Sequence, residues 1–584
     1  MFALAIVFLN PQKNMKSCVT SLFSEAAVVG SVLLLLAGCG KDNIIDYSET
    51  DNPNDYIENT TFNRTIEVVF SSSGDATVTG ATSDFAVVIE DNEVTISNNG
   101  GDSVRYNVSG NTNDGFLKIY SAVKQAIYLN SATIKNNAGA AVNVQGATAT
   151  PSSGKRTYVV INGACELEDG TAYSNTPANE DEKATLFAEG VLLVSGTGTL
   201  TITAKGKSAI ASDSYVRVLN SPTLNITSAG HGIKSKKKVM VSGGTIGITT
   251  TADGKKGITS DGIVRISGGA TTIDVSGGAT YDSEDSEYKG SAGIKSSGTF
   301  YMTGGTLDIT NSGSGGKGIS GDGEGVFSGG SVTINATGSN NTSAGISAKG
   351  IKFDGNLTFS GASVSVSCAS HEAIESKGSI NVTSGVVYGY SAKDDGINSS
   401  SDFTIEGGMV CGHSAGNDGL DANGNFYIKG GIVYAIGTAT PEVGIDANTE
   451  GGKKLYLTGG TIVAIGGLEN NSSLTQSCYS ASSWTKTTWY GLTVGSTSYA
   501  FKTPSSGGTT LVVSASSKPT LTSGVTITGG NSYFNDTFTV GGSMSGGTAV
   551  TISEYTGGGG PGGGGGPGGG GNTGGPGGPG GPGH

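Results

Sequence analysis

Apolar and polar residues alternate along most of the chain in short segments that predict β-strands. Two early examples are IEVVF at residues 66–70 and EVTI at residues 93–96, where alternate side chains would lie on opposite faces of a strand. From Ile210 onward a phrase recurs: a small residue, an Ile or Leu, a polar turn, an apolar strand, a Gly-Gly pair and a second apolar strand. Successive anchors are 23 to 28 residues apart, except for one separation of 36 residues. The anchors are Ile210, Ile233, Ile258, Ile294, Ile319, Ile346, Ile374, Ile397, Leu420 and Ile445.

Three short strands and their turns need about this repeat length, and stacked repeats bury a continuous core. We therefore predict an all-β fold, a right-handed parallel β-helix (a solenoid) over residues 62–467, followed by a C-terminal β capping region at residues 468–556. The Gly-Gly pairs would form the recurring turns, because Gly adopts positive φ without penalty. A β-propeller has a longer repeat, and leucine-rich repeats need Leu-rich phrases that are absent here.

The two ends of the chain have their own character. Residues 1–39 read as a signal peptide, and LAGC at residues 36–39 resembles a bacterial lipobox, which predicts a lipid on Cys39. The alternative is a cleaved secretory signal with an accidental Cys. Residues 40–61 read as a flexible tether, and the Gly/Pro-rich residues 557–584 as a disordered tail. We expect a lipid-anchored protein of the cell envelope, at the outer membrane or cell surface.

The amino-acid composition limits which classes of partner and fold are compatible with the chain. The chain has 34 Lys and Arg against 48 Asp and Glu, which argues against nucleic acid, because phosphate binding needs a basic surface. It has 100 Gly in 584 residues, which disfavours helices and, without a Gly-X-Y period, excludes collagen. After Cys39 only four Cys remain, too few for a disulfide framework, so they are packed thiols or form one optional bridge. We expect a monomer that contacts a membrane only through its lipid.

Acidic residues recur at fixed offsets from the anchors of the late repeats, which stacking would place in columns about 4.8 Å apart. Carboxylates this close repel unless a cation bridges them, and Ca²⁺ accepts irregular all-oxygen sites. The alternative is a solvated acidic ridge that binds nothing specific. The predicted Ca²⁺ ligands are Asp394, Asp395, Asn398, Asp418, Asp421 and Asp446.

A second column follows the Gly-Gly pairs of the late repeats. The alternation there directs Tyr388, Tyr390, His413 and Tyr434 outward, where flat aromatic rings suit stacking on sugars. The alternative is that the C-terminal region covers part of this face.

No nucleophile elbow, zinc spacing or Walker loop is present in the sequence. A Ca²⁺-assisted lyase would need a base near the metal, and Lys377 and Lys393 are weak candidates. We expect a non-catalytic protein. The alternatives are a Ca²⁺-dependent pectate lyase-like enzyme and a structural adhesin or spacer.

Several phrases resemble the cellulose- and pectin-binding parallel β-helix family typified by a clostridial surface protein. They are AIYLNSATI at residues 126–134, CELEDG at 165–170 and TGTLTI at 197–202, and the likeness extends over about residues 60–530. That family is similar in shape to family 9 polysaccharide lyases, binds calcium on Asp-rich turns and is regarded as carbohydrate-binding. The resemblance implies polysaccharide as the partner, and Asp394, Asp395, Asp418, Asp421 and Asp446 as calcium ligands. The lipobox and the Gly/Pro tail depart from the family.

Overall fold

The structure is a computed structural model that describes residues 51–146, 155–174, 176–177 and 180–557. The predicted signal peptide, Cys39 and the tail beyond Gly557 lie outside the described residues. The fold below is that of the compact unit that begins at Pro53. None of the described helices is long and apolar enough to span a membrane.

The described residues form 51 strands and two short 3₁₀ turns, Pro53–Asp55 and Ile57–Asn59. In chain order, strands β1 to β17 are Arg64–Phe70, Thr77–Thr79, Phe85–Glu90, Glu93–Asn98, Val104–Thr112, Phe116–Tyr120, Gln125–Asn130, Thr133–Lys135, Val142–Gln145, Arg156–Asn162, Ala164–Glu168, Ala184–Ala188, Val191–Gly196, Thr199–Ala204, Ser208–Ser212, Tyr215–Val218 and Thr223–Ser228. Strands β18 to β39 are Ile233–Ser235, Lys238–Thr250, Lys256–Ser260, Ile263–Val275, Thr280–Asp282, Glu287–Lys289, Ala292–Ser296, Phe300–Asn311, Lys317–Gly321, Gly325–Ala336, Lys349–Phe353, Leu357–Cys368, Ile374–Ser376, Ile380–Ser391, Ile397–Ser399, Phe403–Ile405, Met409–Ser414, Leu420–Ala422, Phe426–Ile428, Ile432–Ile436, Leu455–Leu457 and Thr461–Ile465. Strands β40 to β51 are Ser473–Leu474, Cys478–Ala481, Trp489–Val494, Thr497–Lys502, Leu511–Ser514, Thr520–Ser523, Thr526–Thr528, Asn531–Tyr533, Phe538–Val540, Ser543–Ser545, Thr548–Val550 and Ser553–Tyr555.

The prediction of a solenoid β-helix with a capping region is wrong. The strands form a 27-stranded sheet, a 14-stranded sheet, a six-stranded sheet and two two-stranded sheets. Within the 27-stranded sheet, ten parallel strands close into a barrel. Their pairings run from β5 through β7, β10, β13 and β16 to β19, and return through β17, β14, β11 and β8 to β5.

The Gly-Gly pairs explain the difference. In the middle repeats they do not end a strand: Gly243 and Gly244 lie inside the 13-residue strand β19, and Gly268 and Gly269 lie inside β21. In the late repeats the pairs at 407–408, 430–431 and 459–460 lie between two short strands of the same 27-stranded sheet. The β19–β21 register shifts between Val241 and Thr245, and Gly244 and Gly269 have φ of 83° and 76°. The positive φ makes a bulge within a continuous strand rather than a turn between two strands, so segments expected in separate sheets belong to one sheet.

Parallel pairing at the repeat distance does occur. Ile233 pairs with Ile258, Ile258 with Ile294, and Ile294 with Ile319 in the 14-stranded sheet. The next partner is Ile351 rather than the expected anchor Ile346, which bridges Asn341 in a loop. These side chains are fully buried in one continuous apolar core, which supplies the main burial energy of the fold.

Two further regions pack on the outer faces of the sheets. The segment Pro53–Phe62 places Asp55 beside Arg156 (3.3 Å) and Arg217 (3.1 Å), and Tyr215 donates a 2.5 Å hydrogen bond to Asp55. Residues 53–61 of the stretch expected to be a flexible tether therefore pack on the fold. At the other end, β42, β43, β45, β47, β48 and β50 form the six-stranded antiparallel sheet, whose apolar side chains pack over β31, β34, β37 and β39. The four described Cys residues are free and buried.

Candidate functional site

The acidic cluster lies on the last strands of the 14-stranded sheet. Glu375, Asn398 and Asp421 occupy equivalent positions on β30, β32 and β35. The bridge from Leu420 to Ile445 continues the alignment to Asp446. These strands are only three residues long, so the turns between them bring additional acidic side chains to the same face.

Hydrogen bonds show how closely the predicted ligands approach one another. Asn398 donates through Nδ2 to Asp395 (2.9 Å) and to Asp421 (2.8 Å). The backbone N–H of Asp418 donates to Asp395 Oδ1 at 3.2 Å, and that of Val443 donates to Asp418 Oδ1 at 2.5 Å. The structure therefore brings together the side chains of three successive repeats.

Burial makes the charged forms of these carboxyl groups costly. Burial, with the neighbouring charge of Asp421, raises the pKa of Asp395 well above its usual range. Burial also raises the pKa of Asp418 to about 9 and that of Asp421 to about 6. Burial and a hydrogen bond with Glu469 raise the pKa of Asp446 to about 11. Within the described part of the chain, no Lys, Arg or His forms a salt bridge with these four groups.

Asp394 has a different environment from the other predicted ligands. Its carboxylate lies 2.8 Å from His371 Nδ1, and His371 also contacts Glu372. Burial opposes both charges, but the contact lowers the pKa of Asp394 and raises that of His371 to about 9. Ligand atoms of His371, Glu372 and Asp394 lie within 4.8 Å of one another. With a pKa of about 9, His371 is protonated at neutral pH, so the three residues form a salt-bridge cluster. The charge of His371 compensates that of Asp394 without a metal.

The remaining donor set fits a hard cation. Asp395, Asp418, Asp421 and Asp446 supply carboxylate oxygens, and the Asn398 amide can present Oδ1 after rotation of its side chain. Oxygen-only ligands with irregular geometry suit Ca²⁺ better than Mg²⁺ or Zn²⁺. A cation among these groups would favour their ionised forms and remove the cost of burying them.

The comparisons with known proteins address the partner. The family model described as carbohydrate-binding domain-containing protein matches residues 90–395, more than half of the chain. The chain belongs to this family. A structure titled "Structure of the polysaccharide lyase-like protein from C. thermocellum, Gadolinium derivative" is similar at 18% identity, covering 50% of this chain and 96% of that chain, with a TM-score of 0.34. That similarity is too distant to support an argument about fold or ligand. No curated protein matches the chain.

The carbohydrate-binding domain match ends at Asp395, so most of the acidic cluster follows it. The aromatic column also lies in the later repeats, and the structure corrects its predicted role. Tyr434 is fully buried between Phe501 and Phe538, and Tyr388 is 8% exposed against Phe534. These two rings are therefore part of the packing against the six-stranded sheet and cannot stack on a sugar.

The other two members of the aromatic column are half-buried. Tyr390 and His413 meet edge to face, with ring centroids 4.9 Å apart, and Tyr390 also packs against the apolar cluster under the six-stranded sheet. Burial lowers the pKa of His413 to about 4, so its ring is neutral. Neither ring forms a flat exposed platform for a sugar.

The two candidate bases occupy different settings. Lys377 pairs with Glu375, whose second partner is Lys349. This ion pair engages the Lys377 ammonium with Glu375. Lys393 is exposed beside Asp394, with no salt bridge among the described residues. Among the described residues, neither Lys377 nor Lys393 forms a salt bridge with Asp395 or Asp418.

Proposed function

We propose that the protein binds polysaccharide of the cellulose or pectin type without cleaving it, and that Ca²⁺ stabilises the acidic cluster. The match of residues 90–395 to the carbohydrate-binding domain family carries the first part. The calcium part is supported by four carboxyl groups, those of Asp395, Asp418, Asp421 and Asp446, that converge without a basic partner. We further propose that the protein acts at the cell envelope, held by a lipid on Cys39, as a monomer.

Binding to polysaccharide is tested directly with the full chain. Pull-downs on cellulose and pectin and a glycan array, each with Ca²⁺ and with chelator, should show retention of the protein on at least one polysaccharide. Loss of binding to every glycan in both conditions would contradict the proposal and favour a spacer role. Release of unsaturated uronates, seen as new ultraviolet absorbance, would instead indicate a lyase.

The calcium site is tested by replacing two of its carboxylates with amides. A ligand that binds only the folded state stabilises it by about 2.7 kcal/mol at a hundredfold excess over Kd, so Ca²⁺ should raise the Tm of the wild type. The Asp418→Asn/Asp421→Asn variant should lose this rise. Its Tm without calcium should equal or exceed that of the wild type, because a buried amide cannot ionise and so avoids the cost of a buried charge.

The matched control for the calcium test is Asp308→Asn, which changes an exposed carboxylate on β25. It should keep the full Ca²⁺-dependent rise in Tm. An equal rise in the Asp418→Asn/Asp421→Asn variant would show that calcium binds elsewhere.

A further inference from the structure

A cavity of about 830 Å³ opens on the same face of the 14-stranded sheet, several repeats before the acidic cluster. Strands β18, β20, β24, β26 and β28 form its floor, and the hairpin of β22 and β23 forms one rim. Seven Lys and five carboxylates line it. We call this cavity the lysine groove.

Lysines recur on the floor of the lysine groove at alternate repeats. The residue after each anchor is, in successive strands, Lys234, Thr259, Lys295, Ser320 and Lys352. A neighbouring column places Lys256 and Lys317 two strands apart, with Ala292 between them. Alternate strands are about 10 Å apart, twice the 4.8 Å strand spacing, which is close to the length of two pyranose units.

Three of the five carboxylates in the lysine groove form salt bridges with two of its lysines. Lys289 pairs with Asp282 at 2.8 Å and with Asp285, all three on the hairpin. Lys295 pairs with Asp322. Lys352, the last lysine of the floor column, pairs with Asp354.

Four lysines of the groove, Lys234, Lys255, Lys256 and Lys317, form no salt bridge with any described residue. Lys256 donates through Nζ only to the carbonyl of Gly254 (2.7 Å). Burial, together with repulsion from neighbouring lysines, lowers the pKa of both Lys256 and Lys317 to about 8. A bound anion would supply the missing counter-charge.

The hairpin adds aromatic surface to the rim. Tyr281 and Tyr288 are 53% and 48% exposed, and their rings meet edge to face with centroids 5.2 Å apart. Tyr288 lines the cavity. Exposed Tyr beside cationic donors is suited to a ligand that has both an apolar sugar face and an anionic group.

We propose that the lysine groove binds an acidic polysaccharide, with uronate carboxylates at Lys256 and Lys317 and a pyranose ring against Tyr288. This inference rests on the proposed function, gives the glycan a location on the fold and selects carboxylate-bearing glycans over neutral ones. Lys256 and Lys317, which form no salt bridge with any described residue, carry it, because a neutral glycan would leave their charge uncompensated.

Calorimetric titration of the full chain with oligogalacturonate and with a neutral cello-oligosaccharide tests the lysine groove. The Lys256→Met/Lys317→Met variant should bind oligogalacturonate at least tenfold more weakly than the wild type. Lys486→Met, which removes an exposed lysine outside the groove, should bind like the wild type. Tyr288→Ala, on the exposed hairpin where folding is not at stake, should also weaken binding.

The outcomes separate this proposal from the broader one. Equal oligogalacturonate affinity in the wild type and the Lys256→Met/Lys317→Met variant would overturn the assignment of the lysine groove as the glycan-binding site. Binding of the cello-oligosaccharide alone would also overturn it and leave the proposed function standing, whereas binding of neither glycan would contradict both. Competition by inorganic sulfate at the same concentration as oligogalacturonate would show a simple anion site and overturn the glycan assignment.

Discussion

At the scale of single residues, the sign of the charge changes along one column of the 14-stranded sheet. Lys352 pairs in register with Glu375, and the column then continues through Asn398 to Asp421. Lys349 contacts both Glu375 and, at 2.9 Å, Glu372, so the two halves are joined by ion pairs. On the basic side of this ion-pair cluster, Lys256 and Lys317 form no salt bridge with any described residue. On the acidic side, Asp418 and Asp421 form none either.

The lowered pKa values of the half-buried Lys256 and Lys317 predict a pH dependence of glycan binding. Their pKa is lowered to about 8, so they are charged at pH 7 and lose their protons as the pH rises through 8, while a uronate stays ionised. Oligogalacturonate affinity should therefore fall steeply between pH 7 and pH 9, measured by titration calorimetry. The groups that face Lys256 are Lys234, Lys255, Lys289, Lys295 and neutral His231. The groups that face Lys317 are Lys295, Lys349, Lys352 and Glu375.

The Lys256→Met/Lys317→Met variant is the control for this pH dependence. Its weaker binding should change little between pH 7 and pH 9. A profile as steep as that of the wild type would assign the titration to other groups.

The sequence was sufficient to align the acidic residues but not to describe their environment. The offsets from the anchors anticipated that Asp395, Asp418 and Asp421 lie together, because parallel pairing repeats at that distance. Their role as calcium ligands stays a prediction. The spacing held no sign that His371 engages Asp394, because that contact depends on how the turns bend. The repeat spacing does not predict the position of Lys352, because it selects Ile346, which lies in a loop, rather than Ile351.

At the scale of elements, the Gly-Gly pair is the feature that pattern alone misassigns. A positive φ at Gly serves a turn and a bulge equally well, so the sequence could predict where the backbone bends but not whether the strand continues. The closed ten-stranded arrangement depends on that distinction, since β5 and β19 each pair with two sets of strands.

Gly269 tests the bulge. Its φ is 76°, and a Cβ there would lie 2.5 Å from the carbonyl oxygen of Gly244. Gly269→Ala should therefore lower the free energy of unfolding by about 1–3 kcal/mol, measured by urea denaturation. Gly101→Ala, where a Cβ meets nothing within 4 Å, should change it by less than about 0.5 kcal/mol. Equal effects of the two substitutions would contradict a strained bulge.

At the scale of the whole molecule, the C-terminal strands cover the outer face of the late repeats. Strand β44 pairs antiparallel with β39, and the six-stranded sheet encloses Tyr434, whose hydroxyl donates a 2.8 Å hydrogen bond to the carbonyl of Lys502. The sequence alone allows two interpretations of the aromatic column, contact with a sugar or coverage by the C-terminal region. Outward-facing Ile and Tyr are compatible with both. Only the placement of residues 478–550 decides between them.

Replacing Tyr434 should affect stability and not glycan binding. Tyr434→Ala removes a buried ring and should cost about 3–5 kcal/mol, whereas Tyr434→Phe loses only the hydrogen bond and should cost about 1 kcal/mol. Urea denaturation gives the stabilities and calorimetry gives the affinity. A large loss of glycan affinity in a folded Tyr434→Phe variant would restore a ligand role for this column.

The change of sign between Lys352 and Glu375 gives this face an electric dipole along the direction in which the strands stack. Near a polyanionic surface, such a molecule is turned by the field before any contact forms. Its end with Lys234 and Lys256 would face the surface, and its end with Asp421, whose pKa of about 6 leaves it charged at pH 7, would point away. The order of charged residues along one ladder would thus set not only what the protein binds but the direction in which it arrives.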